Sequence, residues 1–313
     1  MMNKKLTVSI ITVLLLCIVL AVGILLGKRK ENQDFSGTDF LQGDQGGEEN
    51  SKGGSAKKEK QHIFIDPEGN TLETRVLVPE GYERTKAKKD SLTSFLRGYQ
   101  LKKDGSPVLY YNGKKKRNQT VHAAVFQLPM EKADLQQCAD SIMRVYAEYY
   151  WHTDQYDKIS FHFVNGFLAE YSKWRQGYRI QVSGNDTSWV KSASPDSSYQ
   201  SLQEYLKIVF SYASTLSMEE ESEKIPLAAI QTGDIFIKGG SPGHVVMVVD
   251  ICKNKEGKKA FLLAQGFMPA QEFHLLKNPA HDEDPWYYQE EVTYPFATAE
   301  YTFEKGSLRR PAY

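Results

Sequence analysis

Cysteine is scarce in this chain: of 313 residues only Cys17, Cys138 and Cys252 carry a thiol. That excludes a disulfide-stapled fold and the paired spacings of a zinc ribbon, and past the first apolar run it leaves room for one bridge, between Cys138 and Cys252. Net charge is missing as well. Lys plus Arg and Asp plus Glu each number 39, so no global field attracts a polyanion and no nucleic-acid partner is expected. Gly-x-Gly-x-x-Gly does not occur, and the glycine loop Gly239-Gly240-Ser241-Pro242-Gly243 is not followed by the Gly-Lys-Ser/Thr of a phosphate-binding loop. No His-x-x-x-His pair fixes a metal on a helix; His274, His281, Asp282 and Glu283 are the nearest approach to a ligand cluster. No cofactor and no metal are therefore expected, and no internal repeat is found.

What is present begins with one long apolar run. Leu6 to Leu26 contains no charged residue and is flanked by Lys4 and Lys5 before and Lys28, Arg29 and Lys30 after. As a helix it spans a hydrocarbon core of about 30 Å, whereas the apolar part of a cleaved signal peptide is shorter, although Ala21-Val22-Gly23 would serve as a cleavage site. Residues 1–30 are thus expected to be a membrane anchor, with membrane lipid as a partner. The flanking basic residues nearly balance, so the expectation of an extracytoplasmic C-terminal domain on a single-pass anchor follows the usual habit of such anchors rather than a charge bias. Residues 31–60 are rich in Gly and charge and poor in aliphatics, the composition of a disordered linker with a reach of about 30 Å.

From residue 61 onward the punctuation is that of an α+β domain. An N-terminal α+β portion, 61–195, contains Val108–Tyr111 and Thr120–Gln127, read as strands of a hairpin turned at Asn112-Gly113, with Lys114 to Arg117 at a solvated tip. The apolar spacing of Leu135, Cys138, Ile142, Val145 and Tyr149 predicts a helix over Asp134–Tyr150 with Cys138 facing a core. Ile159–Val164 alternates as a strand, and Tyr178–Val182 with Thr187–Val190 predicts a hairpin around Gly184-Asn185-Asp186. The C-terminal portion, 196–313, opens with a helix ending near Leu216. It continues with a short strand at Asp234–Ile237, the glycine loop, an apolar strand from His244 to Ile251 and a returning strand from Ala260 to Gln265. The two portions are expected to form one integral domain.

The stretch GDIFIKGGSPGHVVMVVDI, followed by FLLAQGF, resembles the second half of the papain-like cell-wall amidases and peptidases of the CHAP type (cysteine, histidine-dependent amidohydrolase/peptidase). That resemblance implies a papain-like antiparallel sheet with a packing helix. It implies His244 as general base, Gln265 as the group orienting it, and Gly240, Ser241 and Gly243 as a substrate-facing loop. A histidine on the first residue of a strand lies at the sheet's end, where a side-chain amide can fix its tautomer. The family's nucleophile is a cysteine at the N-terminus of the helix before the Gly-Asp strand. Here that helix begins around Asp196–Ser201 without one. Ser198 is a candidate substitute, although serine is also what an N-cap requires. Cys138 is the other candidate, although a cysteine on an apolar helix face is ordinarily structural.

A more extensive resemblance, from about residue 63 to the end, is carried by DLQQCADSIMR, NGFLAEYSKWRQGYRIQV, GGSPGHVVMVVD and LLAQGFMPAQEFHLLKNP. These phrases are similar to those of a bacterial family known as a domain of unknown function, which implies one domain and no particular reaction. Three functions remain open on the sequence. They are an envelope protein binding cell-wall peptide or glycan through a degenerate papain-like site, an active amidase or peptidase using His244, and a non-catalytic scaffold.

Overall fold

The uninterrupted apolar run Val245–Val249 lacks the polar alternation of a half-exposed strand and so demands cover on both faces. The computed structural model, which describes residues 62–313, provides it. The run forms β5 (His244–Asn254), buried from His244 through Cys252. It sits within a nine-stranded sheet whose other members are β1 (Tyr82–Arg84), β2 (His122–Val125), β3 (Ser222–Lys224), β4 (Ile235–Lys238), β6 (Lys259–Gln265), β7 (His274–Leu276), β8 (Tyr287–Tyr288) and β9 (Leu308–Pro311). The main path runs β2-β7-β6-β5-β4-β9-β3, with β1 on the far end of β5 and β8 on β6. Every pairing is antiparallel.

Alternation along β5 divides the core in two. Val245, Met247 and Val249 face a layer that includes Ile142, Met143 and Val145 of helix α1 (Cys138–His152). Val246 and Val248 face a second layer closed by Phe296, Phe303 and Leu308 from the C-terminal segment. Each fully buried side chain of this size stabilises the fold by about 1.5–3 kcal/mol. Helix α2 (Tyr199–Tyr212) packs on α1, and helix α3 (Thr215–Glu220) packs against β4. The sheet draws β1 and β2 from before residue 195 and the remaining strands from after it, so both portions build one compact unit.

Several expectations need correction. The helix expected from Asp134 begins at Cys138. Asp134 instead accepts the Ala270 N–H at 2.6 Å and the Gln137 amide at 3.1 Å, while the Asp140 carboxylate accepts the Gln137 N–H at 3.0 Å and closes the first turn there. The helix laid against β5 and β6 is this one, not the helix near residue 200. The hairpin expected between residues 108–111 and 120–127 does not form. Its turn closes a single bridge, Leu109 to Lys115, while Tyr110 bridges Gln271 and the Leu109 N–H donates to Glu272 at 3.0 Å. Lys116 is not at a solvated tip but buried. Cys138 and Cys252 are both free thiols.

The hairpin at Tyr178–Ser183 and Asp186–Lys191 matches the expected one, with Ser183 opposite Asp186 across a turn whose Gly184 has φ +60°. Among the described residues no helix is long and apolar enough to cross a membrane. The expected anchor, Leu6 to Leu26, and the linker 31–60 lie outside the described residues.

Candidate functional site

His244 is the first residue of β5 and follows a loop that tolerates no side chain at its last position. A Cβ on Gly243 would lie 2.3 Å from the Gly240 carbonyl oxygen and 2.6 Å from the Thr215 hydroxyl. Gly240 itself holds φ +100°, a conformation glycine adopts without strain. The loop therefore delivers the imidazole to a fixed place, against Phe267 (ring centroids 4.4 Å apart), Tyr301 (5.0 Å) and Phe303 (6.2 Å). Only 2% of His244 remains exposed.

Gln265 ends β6 and lies opposite His274 of β7. Its Oε1 accepts from His244 Nε2 at 2.7 Å, and its Nε2 donates to Glu300 Oε2 at 2.7 Å. Glu300 also takes the ammonium of Lys116 and lies 3.7 Å from His274 Nε2. Burial alone would raise the Glu300 carboxyl, but the neighbouring His274 imidazole and the Lys116 ammonium outweigh it and the group falls below the ordinary glutamate value. Burial pushes His244 down to about 4, against the opposing pull of Gln265 and Glu300. It pushes His274 down too. Both imidazoles are therefore neutral near pH 7.

Cys138 lies on the α1 side of β5, packed against the layer that holds Val245 and Met247. As the first residue of α1 it sits at the positive end of the helix dipole, and its sulfur lies near the N–H of Val245, the residue after His244. Behind it the fit is tight: a Cβ on Gly266, the residue after Gln265, would meet Ser141 Oγ at 2.2 Å and the Gln137 carbonyl oxygen at 2.8 Å. A cavity of about 370 Å³ opens beside the thiol, lined by Cys138, Phe210, Gly240, Ser241, Gly243 and Met268. Burial pushes the thiol up to about 12, with the Asp140 carboxyl adding to the rise and the N–H groups of Ala139, Val245 and Cys138 itself opposing it. Asp140 is raised by burial to about 8. Near pH 7 Cys138 is therefore a thiol and His244 a neutral imidazole, and no hydrogen bond joins them in this structure.

The other sequence candidates separate cleanly. Ser198 is exposed and caps α2, its hydroxyl accepting the Ser201 N–H at 3.2 Å. The cavity touches the opposite end of that helix at Phe210, about 18 Å away at 1.5 Å per residue. His281 pairs with Glu291 at 2.7 Å, far in role from buried His274, and no metal-binding group of His, Cys, Asp and Glu occurs among the described residues. A larger cavity, about 950 Å³, lies beside His122 and Lys277 and contains no cysteine.

Glu300 and Lys116 escaped sequence reasoning because they are 184 positions apart. His274 was legible only as a metal candidate. Phe267 was within reach, since it follows Gln265-Gly266 and large rings commonly shield a polar pair.

Residues 72–310 match the family described as Domain of unknown function (4846), and the chain belongs to that family. No curated protein and no solved structure matches the chain.

Proposed function

We propose that this domain is a papain-like cysteine hydrolase of amide bonds, with Cys138 as nucleophile, His244 as general base and Gln265 as its orienting group. The observation that carries the reading is the position of Cys138: first residue of a helix, beside Val245, in a cavity lined by the Gly240–Gly243 loop that precedes His244. The step it supports balances simply. The thiol proton passes to His244 Nδ1, sulfur adds to the carbonyl carbon, and the C–N bond breaks as the imidazolium returns that proton to the leaving amine. Water then cleaves the thioester by the same route reversed. N–H groups of the first turn of α1 are the natural donors to the oxyanion. Thiol and imidazole share no hydrogen bond here, and such contacts commonly tighten only when substrate is bound.

Cell-wall peptide is the substrate class that accompanies the resemblance of the His244 and Gln265 segments, and an anchor at Leu6 to Leu26 would hold the domain near it. The raised thiol and the missing Cys138–His244 bond favour a second reading, a site that binds peptide or glycan without cleaving it. Incubation of wild type, Cys138→Ser and His244→Ala with purified cell-wall peptides, followed by assay of new amino groups, separates the two. The hydrolase reading expects release by wild type and a loss of about 10²-fold or more in both variants. Binding of the peptides without release by wild type would leave the second reading in place.

A further inference from the structure

A side-chain amide can present oxygen or nitrogen to a histidine, and the choice decides which imidazole nitrogen keeps its lone pair. Around Gln265 the choice is made by groups that the hydrolase reading does not use. The Glu272 carbonyl accepts from His274 Nδ1 at 2.8 Å, so neutral His274 carries its proton there and leaves Nε2 as an acceptor. The two hydrogens of the Gln265 amide then have two acceptors, Glu300 Oε2 at 2.7 Å and, more loosely, His274 Nε2 at 3.5 Å. Neither acceptor can donate to Gln265. Its oxygen is left to face His244 Nε2, which must bear the proton, and His244 Nδ1 keeps its lone pair. Lys116, 6% exposed, neutralises the carboxylate that anchors this chain of bonds.

We propose that Glu300, held by Lys116, is a positioning residue that sets the tautomer of His244 through the orientation of Gln265. Its importance for reaction rests on the hydrolase reading, because a base that takes the thiol proton at Nδ1 must have that nitrogen free. The tautomer itself does not depend on that reading. Without the carboxylate, Gln265 is free to turn over and present its N–H₂ to His244, which would then carry its proton on Nδ1 and have no lone pair there to offer.

The test is the imidazole nitrogen spectrum of full-length protein labelled with ¹⁵N-histidine, in wild type, Glu300→Gln and the charge-neutral double variant Glu300→Leu with Lys116→Met. Glu300→Gln keeps the size and one acceptor, which guards against collapse of the site. The expected result is a single Nε2–H form of His244 in wild type and the appearance of the Nδ1–H form in the variants, most strongly in the double one. A pure Nε2–H form in both variants overturns the proposal, as does an Nδ1–H form in wild type. Alkylation of Cys138 in the same samples keeps the two ideas apart. A thiol that never reacts while the tautomer shifts as expected removes the hydrolase reading and leaves the positioning role of Glu300 standing.

Discussion

His244 and Gln265 meet across 2.7 Å between Nε2 and Oε1, although neither is opposite the other in the sheet: Gln265 is opposite His274, and His244 stands across from Lys238. The bond is diagonal, made on the face of β5 closed by Phe303 and Tyr301, and it leaves Nδ1 as the imidazole nitrogen not engaged by Gln265.

Acid should weaken the fold through this residue. Burial lowers His244 from 6.5 to about 4, so between those values the unfolded chain binds a proton that the folded chain does not. Stability falls as pH drops from about 6.5 to about 4 and changes little from this source above pH 7, the whole loss amounting to about 3 kcal/mol. Urea midpoints at pH 7.5, 6 and 4.5 measure it. His244→Phe should flatten the dependence; a slope unchanged by that substitution contradicts the assignment.

The histidine's low value also sets the acid limb of any His244-dependent reaction. Rate should hold well below pH 6 and fall toward pH 4, unlike that of an ordinary imidazole. A midpoint near 6.5 in a pH profile of peptide hydrolysis would count against a buried, neutral base.

Gly266→Ala probes the contact between β6 and α1. The new methyl would press on Ser141 Oγ and on the Gln137 carbonyl, pushing the first turn of α1, and with it Cys138, away from β5. A loss of about 1–3 kcal/mol is expected, together with slower Cys138 chemistry. Ser141→Ala in the same chain should recover part of the stability but not all, because the backbone oxygen remains. Full recovery in a denaturation series would show that the helix start is not fixed by this contact.

Asp250 joins the sheet to the N-terminal elements. Its two oxygens take Arg84 Nε and Arg97 Nε, each at 2.7 Å, with Asp250 wholly buried. Asp250→Ala strands two guanidinium groups and should cost about 3–5 kcal/mol. A change under 1 kcal/mol in urea unfolding would mean that water already shares these charges.

The strands around the site were legible because a run such as Val245–Val249 between a glycine loop and the Asn254–Lys258 turn has few other ways to bury itself. His244 and Gln265 stood out as polar ends of apolar strands. The start of α1 was not legible. Asp134 has the look of an N-cap, but it is taken by the distant Ala270 N–H, a tertiary contact that local pattern does not encode. Cys138 therefore stands at the helix N-terminus as well as against the core it was expected to face. Lys116 was misread for the same kind of reason: within a basic run, only its partner Glu300 distinguishes it from Lys114 and Lys115.

If Cys138 and His244 act as a pair, the rate of Cys138 alkylation across pH must differ between wild type and His244→Ala. Cys252, buried on the same strand as His244 with its thiol also pushed by burial up to about 12, is the internal control. Near pH 7 Cys138 is expected to react in the folded protein, Cys252 is not, and removing the imidazole should slow Cys138 by at least about tenfold. Labelling of Cys138 only after denaturation, at a rate indifferent to His244, would contradict the pairing.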